Sequence, residues 1–273
     1  MLQETRRILL DGCIVEALRE GEELVAPDGR RVPADRAVHL PPVEPTKILC
    51  VHLNYRGRAQ ELGTSLPPAP NYFQKPLSCL NSHGGAVVRP RNCRFLNYEG
   101  EIAIVIGRTA RHVRRSEAHE YIAGYTLAND FALHDFRDAD RGAMLRVKGA
   151  DTLGVVGPGL VRGWRPLAQV LRTRVNGALV QEASVTDMIF DVAYLIADLT
   201  RTMTLSPGDL ILSGTPAHSR PVEPGDVVSV EVEGLGVLRS VIVEGEAVSL
   251  ECGWPPSASE KVLGVALGEA LRE

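Results

Sequence analysis

Apolar residues along the chain fall in short runs separated by Gly, Pro and charged positions, the pattern of many strands and few helices. Two short strands at residues 7–10 and 13–17 precede the Pro-rich stretch HLPPVEP, so residues 1–45 are expected to form a small N-terminal β appendage. The run KILCVHL at 47–53 reads as a buried strand, residues 54–66 as a short helix or mobile lid, and GTSLPPAPNYF as a loop. Strands are predicted at 86–88, 100–107 and 124–128, with a helix over 116–123. The segment TRVNGALVQ predicts a two-residue hairpin, because Asn176-Gly177 supplies the positive φ angles of a type I′ turn. Apolar residues from Met188 to Met203 recur at helical spacing and predict one long helix over 186–203, capped by Thr186. Strands punctuated by SPGD and EPGD turns follow. A tail, 246–273, closes the chain with a helix over 260–272, whose apolar stripe suits docking on its own core or on a partner subunit. Few helices among many strands indicate a β-rich α+β fold.

Length and charge narrow the function classes. At 273 residues the chain can bury a large core. Its 30 Lys and Arg against 34 Asp and Glu leave a formal charge of −4 without a basic cluster, so neither nucleic acid nor an anionic membrane is an expected partner. No apolar run approaches the roughly 18 residues that cross a bilayer, and charges occupy the place of a signal peptide's apolar stretch, so the cytoplasm is the expected location. Five widely spaced cysteines without a C-x-x-C pair argue against disulfides and zinc ribbons.

The common signatures of dinucleotide, P-loop, zincin and hydrolase chemistry are absent, and the His134-Asp135 dipeptide is too short to specify a metal site. Glu99 and Glu101 sit two apart at the entry of a predicted strand, so their side chains leave one face. Asp130 ends the next predicted strand, where a neighbouring strand end brings it to the same point. Three crowded carboxylates repel unless a cation neutralises them, and oxygen ligands favour a hard ion. That ion is Mg²⁺ first, with Mn²⁺ or Ca²⁺ as alternatives. On spacing alone, the same residues also fit a solvent-facing E-x-E on an edge strand with Asp130 as a turn former. Lysine is scarce, with only four in the chain, yet Lys75 and Lys148 lie in this middle section; a compact amine does what a guanidinium fork cannot.

NYEGEIAIVIGRTARHV, YIAGYTLANDFALHD, LRVKGAD, the VNG hairpin, MIFDVAYLIADLTRTMTLSPGDLILSGTP and EPGDVVSVEVEGLG together resemble the fumarylacetoacetate hydrolase family, collinearly over about residues 47–245. Within it the likeness is to the isomerase/decarboxylase branch of homoprotocatechuate degradation. The resemblance implies a mixed β-sandwich roll, a catalytic domain at 46–245, and homodimers. It implies Mg²⁺ held by Glu99, Glu101 and Asp130, with Lys148 as a catalytic residue beside it. It also implies that Tyr55, Lys75 and Thr215 contact the substrate, a small 2-oxo acid. The family's lid element, N-Y-x-x-H-A-x-E, reads here Asn54-Tyr55-Arg56-Gly57-Arg58-Ala59-Gln60-Glu61. Arg58 replaces the His, and a guanidinium is no base near neutral pH. Hydrolysis is thereby put in doubt, leaving Glu61 to relay a proton and Arg58 to grip a substrate carboxylate. His134 stands where the family commonly has Arg; a structural and an acid/base role both fit. The implied activity is decarboxylation or isomerisation of an unsaturated di- or tricarboxylic 2-oxo acid in aromatic catabolism. Acylpyruvate hydrolysis, oxaloacetate decarboxylation and non-catalytic metal or carboxylate binding are the alternatives.

Overall fold

The computed structural model describes residues 2–268. Two mixed sheets pack face to face, the arrangement of a β-sandwich roll, with few helices. The larger sheet is centred on Gly100–Ile106, flanked by Ile122–Asp130 and Leu210–Leu212. Every residue of the central strand is buried, which is why it reads as one apolar run: Ile102, Ile104 and Ile106 face the main core, and Ala103 and Val105 face a second cluster with Leu210 and Leu212. The smaller sheet orders Ala178–Ser184, Val170–Val175, Val227–Val232, Gly236–Gly245 and Ala86–Pro90. Its first two strands form the expected hairpin, with Asn176 at φ 50° and Gly177 at φ 83°. The N-terminal strands Gln3–Leu10 and Cys13–Glu20 extend the larger sheet, because Gln3–Thr5 pairs with Leu160–Arg162 of Gly154–Arg162.

Three predicted elements differ from the structure. The long helix is confined to Val192–Thr200 and capped by Asp191 rather than Thr186. Ahead of it, the backbone N–H groups of Ile189 and Phe190 donate to the Asn54 backbone and side chain, so they are unavailable to a helix. A 3₁₀ turn, Arg115–Tyr121, replaces the helix over 116–123, since Ile122 already pairs with Ile106. Inside the Pro-rich loop, Tyr72–Lys75 is a strand paired with Ile48–Val51. The short helix after residue 54 is Arg56–Glu61. The terminal helix is Glu260–Leu267, ended by Gly268 in the left-handed conformation, and residues 269–272 of its expected span lie outside the described residues. It docks on the protein's own core through Val262 and Ala266 against Phe95. Among the described residues, no helix is long and apolar enough to cross a membrane.

Candidate active site

Strand register places the acids. Gly100 pairs with Asn129 and Glu101 with Ala128, while the Asp130 N–H donates to the Glu99 carbonyl at 2.9 Å. Ligand oxygens of Glu99, Glu101 and Asp130 consequently lie within 4.8 Å of one another, and all three residues are buried. The residue between the two glutamates must be glycine, because a Cβ at Gly100 would stand 2.2 Å from Thr173 Oγ1 of the opposing sheet. Gly214, at φ 92°, turns its N–H onto Glu101 Oε2 at 2.7 Å.

Two lysines neutralise part of this charge. Lys148 Nζ donates to Glu99 Oε2 at 2.6 Å and to Asp130 Oδ2 at 2.8 Å, and Lys75 Nζ donates to Asp130 Oδ1 at 2.5 Å. Burial opposes ionisation of Asp130, but the two ammonium groups outweigh it and hold its carboxyl below the usual range. Burial likewise opposes the charge on Lys148, and Asp130 and Glu99 outweigh it, so Lys148 stays an ammonium. Glu101 has no such lysine. Burial and the negative charge of Asp130 push its carboxyl well above the usual carboxylate range. A divalent cation is the group this donor set fits: three converging carboxylates, one of them desolvated without a cationic partner of its own among the described residues.

A narrow cavity of about 30 Å³ opens onto these groups, lined among others by Glu99, Asp130, Lys148, Arg58, Thr215 and Arg137. Thr215 sits on its wall with its hydroxyl accepting from Gln181 Nε2 at 3.1 Å. Arg58 also reaches it, paired through Nη1 with Glu61 Oε2 at 2.6 Å. Glu61 is not on the lining. Its oxygens also accept from Arg220 Nη2 at 2.6 Å and the His218 N–H. Burial works against ionisation there, but Arg58 and its other donors win and lower the Glu61 carboxyl below its usual value. Glu61 therefore anchors Arg58 in this arrangement rather than facing the cavity. Lys75 lies behind Asp130, fully buried, and Tyr55 is buried with its hydroxyl unpartnered among the described residues; neither lines the cavity.

His134 is buried, and burial plus the nearby cations Arg137, Lys148 and Arg58 depress its pKa, so it is neutral and lies off the lining. Its neighbour Asp135 accepts from the Arg94 and Phe95 N–H groups, a backbone brace. The lining residues that sequence reasoning missed are Val51, His52, Leu62, Phe73, Arg137, Met144 and Val265. Arg137 forms no ion pair among the described residues, and its Nε is buried without a partner. The one available signal was indirect: an arginine absent at 134 is supplied three residues later. Val265 comes from the tail and left no signal.

Comparison with known proteins identifies the family. A family described as fumarylacetoacetate (FAA) hydrolase C-terminal matches residues 47–243. An uncharacterised protein of Archaeoglobus fulgidus is 38% identical over 248 residues, 90% of this chain and 99% of that protein. The 4-hydroxyphenylacetate degradation bifunctional isomerase/decarboxylase of Salmonella dublin is 41% identical over 205 residues, 74% of this chain; the match spans about half, 48%, of that longer protein. Among solved structures, 5-carboxymethyl-2-hydroxymuconate delta-isomerase from Mycobacterium smegmatis superposes with a TM-score of 0.82 at 34% identity, covering 89% of this chain and 99% of that one. The 2-hydroxyhepta-2,4-diene-1,7-dioate isomerase from Mycobacterium marinum gives 0.80 at 35% identity, covering 89% and 98%. With a match over most of its length and the acid-bearing strands in register, the chain belongs to the fumarylacetoacetate hydrolase C-terminal family.

Proposed function

We propose that the chain is a divalent-metal-dependent decarboxylase/isomerase of unsaturated 2-oxo or 2-hydroxydienoic acids in aromatic-compound breakdown. The observation that carries this reading is a buried three-carboxylate cluster, two of whose acids share the lining of one small cavity with Arg137, which forms no ion pair among the described residues. Glu99, Glu101 and Asp130 would hold the ion, with Mg²⁺ the first choice for an all-oxygen set. Bound there, it would supply Lewis acidity to the substrate's oxygens and favour the enolate shared by decarboxylation and ketonisation. Arg137 takes the substrate carboxylate, with the Arg58 guanidinium, braced by Glu61, as a second donor. Lys148 stays protonated and offsets the negative charge that develops beside Glu99 and Asp130. The wall residue His52, exposed at the rim of the cavity, is the candidate proton carrier, because partial desolvation against the wall and the cations Arg137, Lys148 and Arg58 lower its pKa and keep its imidazole neutral. Hydrolysis is disfavoured because Arg58 stands in the lid where a base would activate water, with Glu61 clamped behind it. A cytoplasmic homodimer completes the reading.

The test is turnover of 5-oxopent-3-ene-1,2,5-tricarboxylate and 2-hydroxyhepta-2,4-diene-1,7-dioate, followed by loss of dienoate absorbance with Mg²⁺ and after chelation. Turnover is expected only with the ion, and equal rates after chelation would overturn the proposal. Arg137→Gln is expected to raise KM about 10- to 100-fold, the worth of one charge-assisted hydrogen bond, with a smaller change in kcat. An unchanged KM would remove Arg137 from substrate binding.

A further inference from the structure

The tail after residue 246 lies beyond the span matched to the family, yet it is tied to the active-site body along its length. Asn92 and Val248 exchange two hydrogen bonds, at 2.9 and 2.8 Å. Ser257 donates through its N–H to the Asp135 carbonyl and through Oγ to Asp138 Oδ2 at 2.6 Å, beside Arg137. Asn97 Nδ2 donates to the Ala266 carbonyl at 2.8 Å, two residues ahead of Glu99. These ties fix the rotation of the terminal helix: Val262 and Ala266 pack inward, and Gly264 and Val265 face the cavities.

Val265, His52 and Leu62 line two spaces at once, the inner cavity of about 30 Å³ and an outer chamber of about 390 Å³. The two spaces differ in charge. Acids, lysine and both arginines belong to the inner one, whereas the outer chamber is walled by apolar Leu53 and Pro67 and by the uncharged polar groups of Thr64, Ser65 and Asn71. Its size is that of an ordinary small-ligand pocket. A substrate whose 2-oxo acid end sits at the carboxylates must send its remaining carbons past Val265. The chamber opens to solvent but its wall carries no cation, so a charge carried there would gain no counter-ion, while an uncharged chain would lie against Leu53, Leu62, Pro67 and Val265.

We infer that the C-terminal tail is a substrate-selecting wall, with Val265 as its specificity-determining side chain, and that it favours 2-oxo acids whose far end is uncharged and mainly apolar. This rests on the function proposed above and narrows it: among unsaturated 2-oxo acids, those with a second carboxylate at the far end, such as the 1,7-dioate, should be bound more weakly than those ending in an uncharged chain.

The test uses full-length protein loaded with Mn²⁺, with calorimetric binding of three probes: oxalate, 2-oxooctanoate and 2-oxooctanedioate. The last two differ only in a terminal carboxylate. Wild type should bind 2-oxooctanoate at least tenfold more tightly than the dioate. Val265→Phe should weaken 2-oxooctanoate at least tenfold and leave oxalate within twofold, and Val265→Lys should reverse the preference between the two long acids. Val265 is only partly buried, so both variants should fold. A metal-free readout accompanies these: carbethoxylation of His52, followed by peptide mass spectrometry, should slow in Val265→Phe. Equal affinities for the two long acids in wild type, or an unchanged pattern in both variants, would overturn the inference. Absence of oxalate binding in every protein, with His52 still shielded by Val265→Phe, supports the wall and counts instead against the metal-site reading.

Discussion

Glu101→Gln is expected to abolish divalent-dependent turnover, by about a thousandfold or more, while making the metal-free protein more stable. Both effects share one cause. Glu101 is buried, its carboxylate's one hydrogen bond among the described residues is from the Gly214 N–H, and Asp130 lies close by. Without a cation its negative charge is poorly compensated, and its raised pKa expresses that cost. A neutral amide keeps an acceptor for Gly214 and loses the charge, so a gain of about 1–3 kcal/mol in unfolding free energy is expected. The pH dependence has a definite sign. A carboxyl whose folded pKa lies above its unfolded value costs no stability below about 4.5, and costs progressively more as pH rises from there toward the folded value. Denaturation of both proteins across pH 4 to 8 should therefore show the variant's advantage opening as pH increases. A variant less stable than wild type throughout would mean that Glu101 is not under electrostatic stress. Retained turnover at low Mg²⁺ would remove it from the ligand set.

Lys148→Met carries the second large effect, with the opposite sign for stability. Its ammonium bridges Glu99 and Asp130 with almost no solvent exposure. Removing it leaves Asp130 with Lys75 alone and Glu99 with no ion pair among the described residues, and breaking one partner out of a buried pair costs about 3–5 kcal/mol. The metal-free variant should lose that much by urea denaturation. The same lost charge removes a repulsion at the ion site, so Mn²⁺ should bind the variant more tightly than wild type and restore much of its stability by linkage. Turnover should remain at least about a hundredfold down with the metal present, because the charge balance beside the reacting oxygens has gone. Unchanged stability in the metal-free state would show that the lysine's contacts are not what offsets the buried acids.

The acid cluster was largely legible in the chain because its geometry is written in a period of two: Glu99 and Glu101 share a face, and Asp130 ends the antiparallel neighbour. What spacing alone could not decide was burial, and burial separates a solvent-facing E-x-E from a cluster that wants a cation. The hairpin at Asn176-Gly177 was legible because its φ angles are a local property of two residues. The helix over 186–203 was overestimated because its first part bonds to Asn54, more than 130 residues earlier in the chain. Glu61, Lys75 and Tyr55 follow the same rule. The family resemblance implies direct roles for them, but Arg220 and His218 close around Glu61, Asp130 draws Lys75 behind the site, and the core encloses Tyr55.

By itself, then, the amino-acid order determined the β-rich architecture, the candidate ligand acids and the absence of any charge pattern suited to nucleic acid, since alternation, turn chemistry and composition each act within a few residues. Tertiary structure alone decided which side chains share the cavity. It brought Arg137 to the acids, tied Glu61 to Arg58 and Arg220, and laid the tail's Val265 over the mouth. Those contacts join segments far apart in the chain and are stabilised by burial, desolvation and ion pairing, which exist only once the sheets have packed.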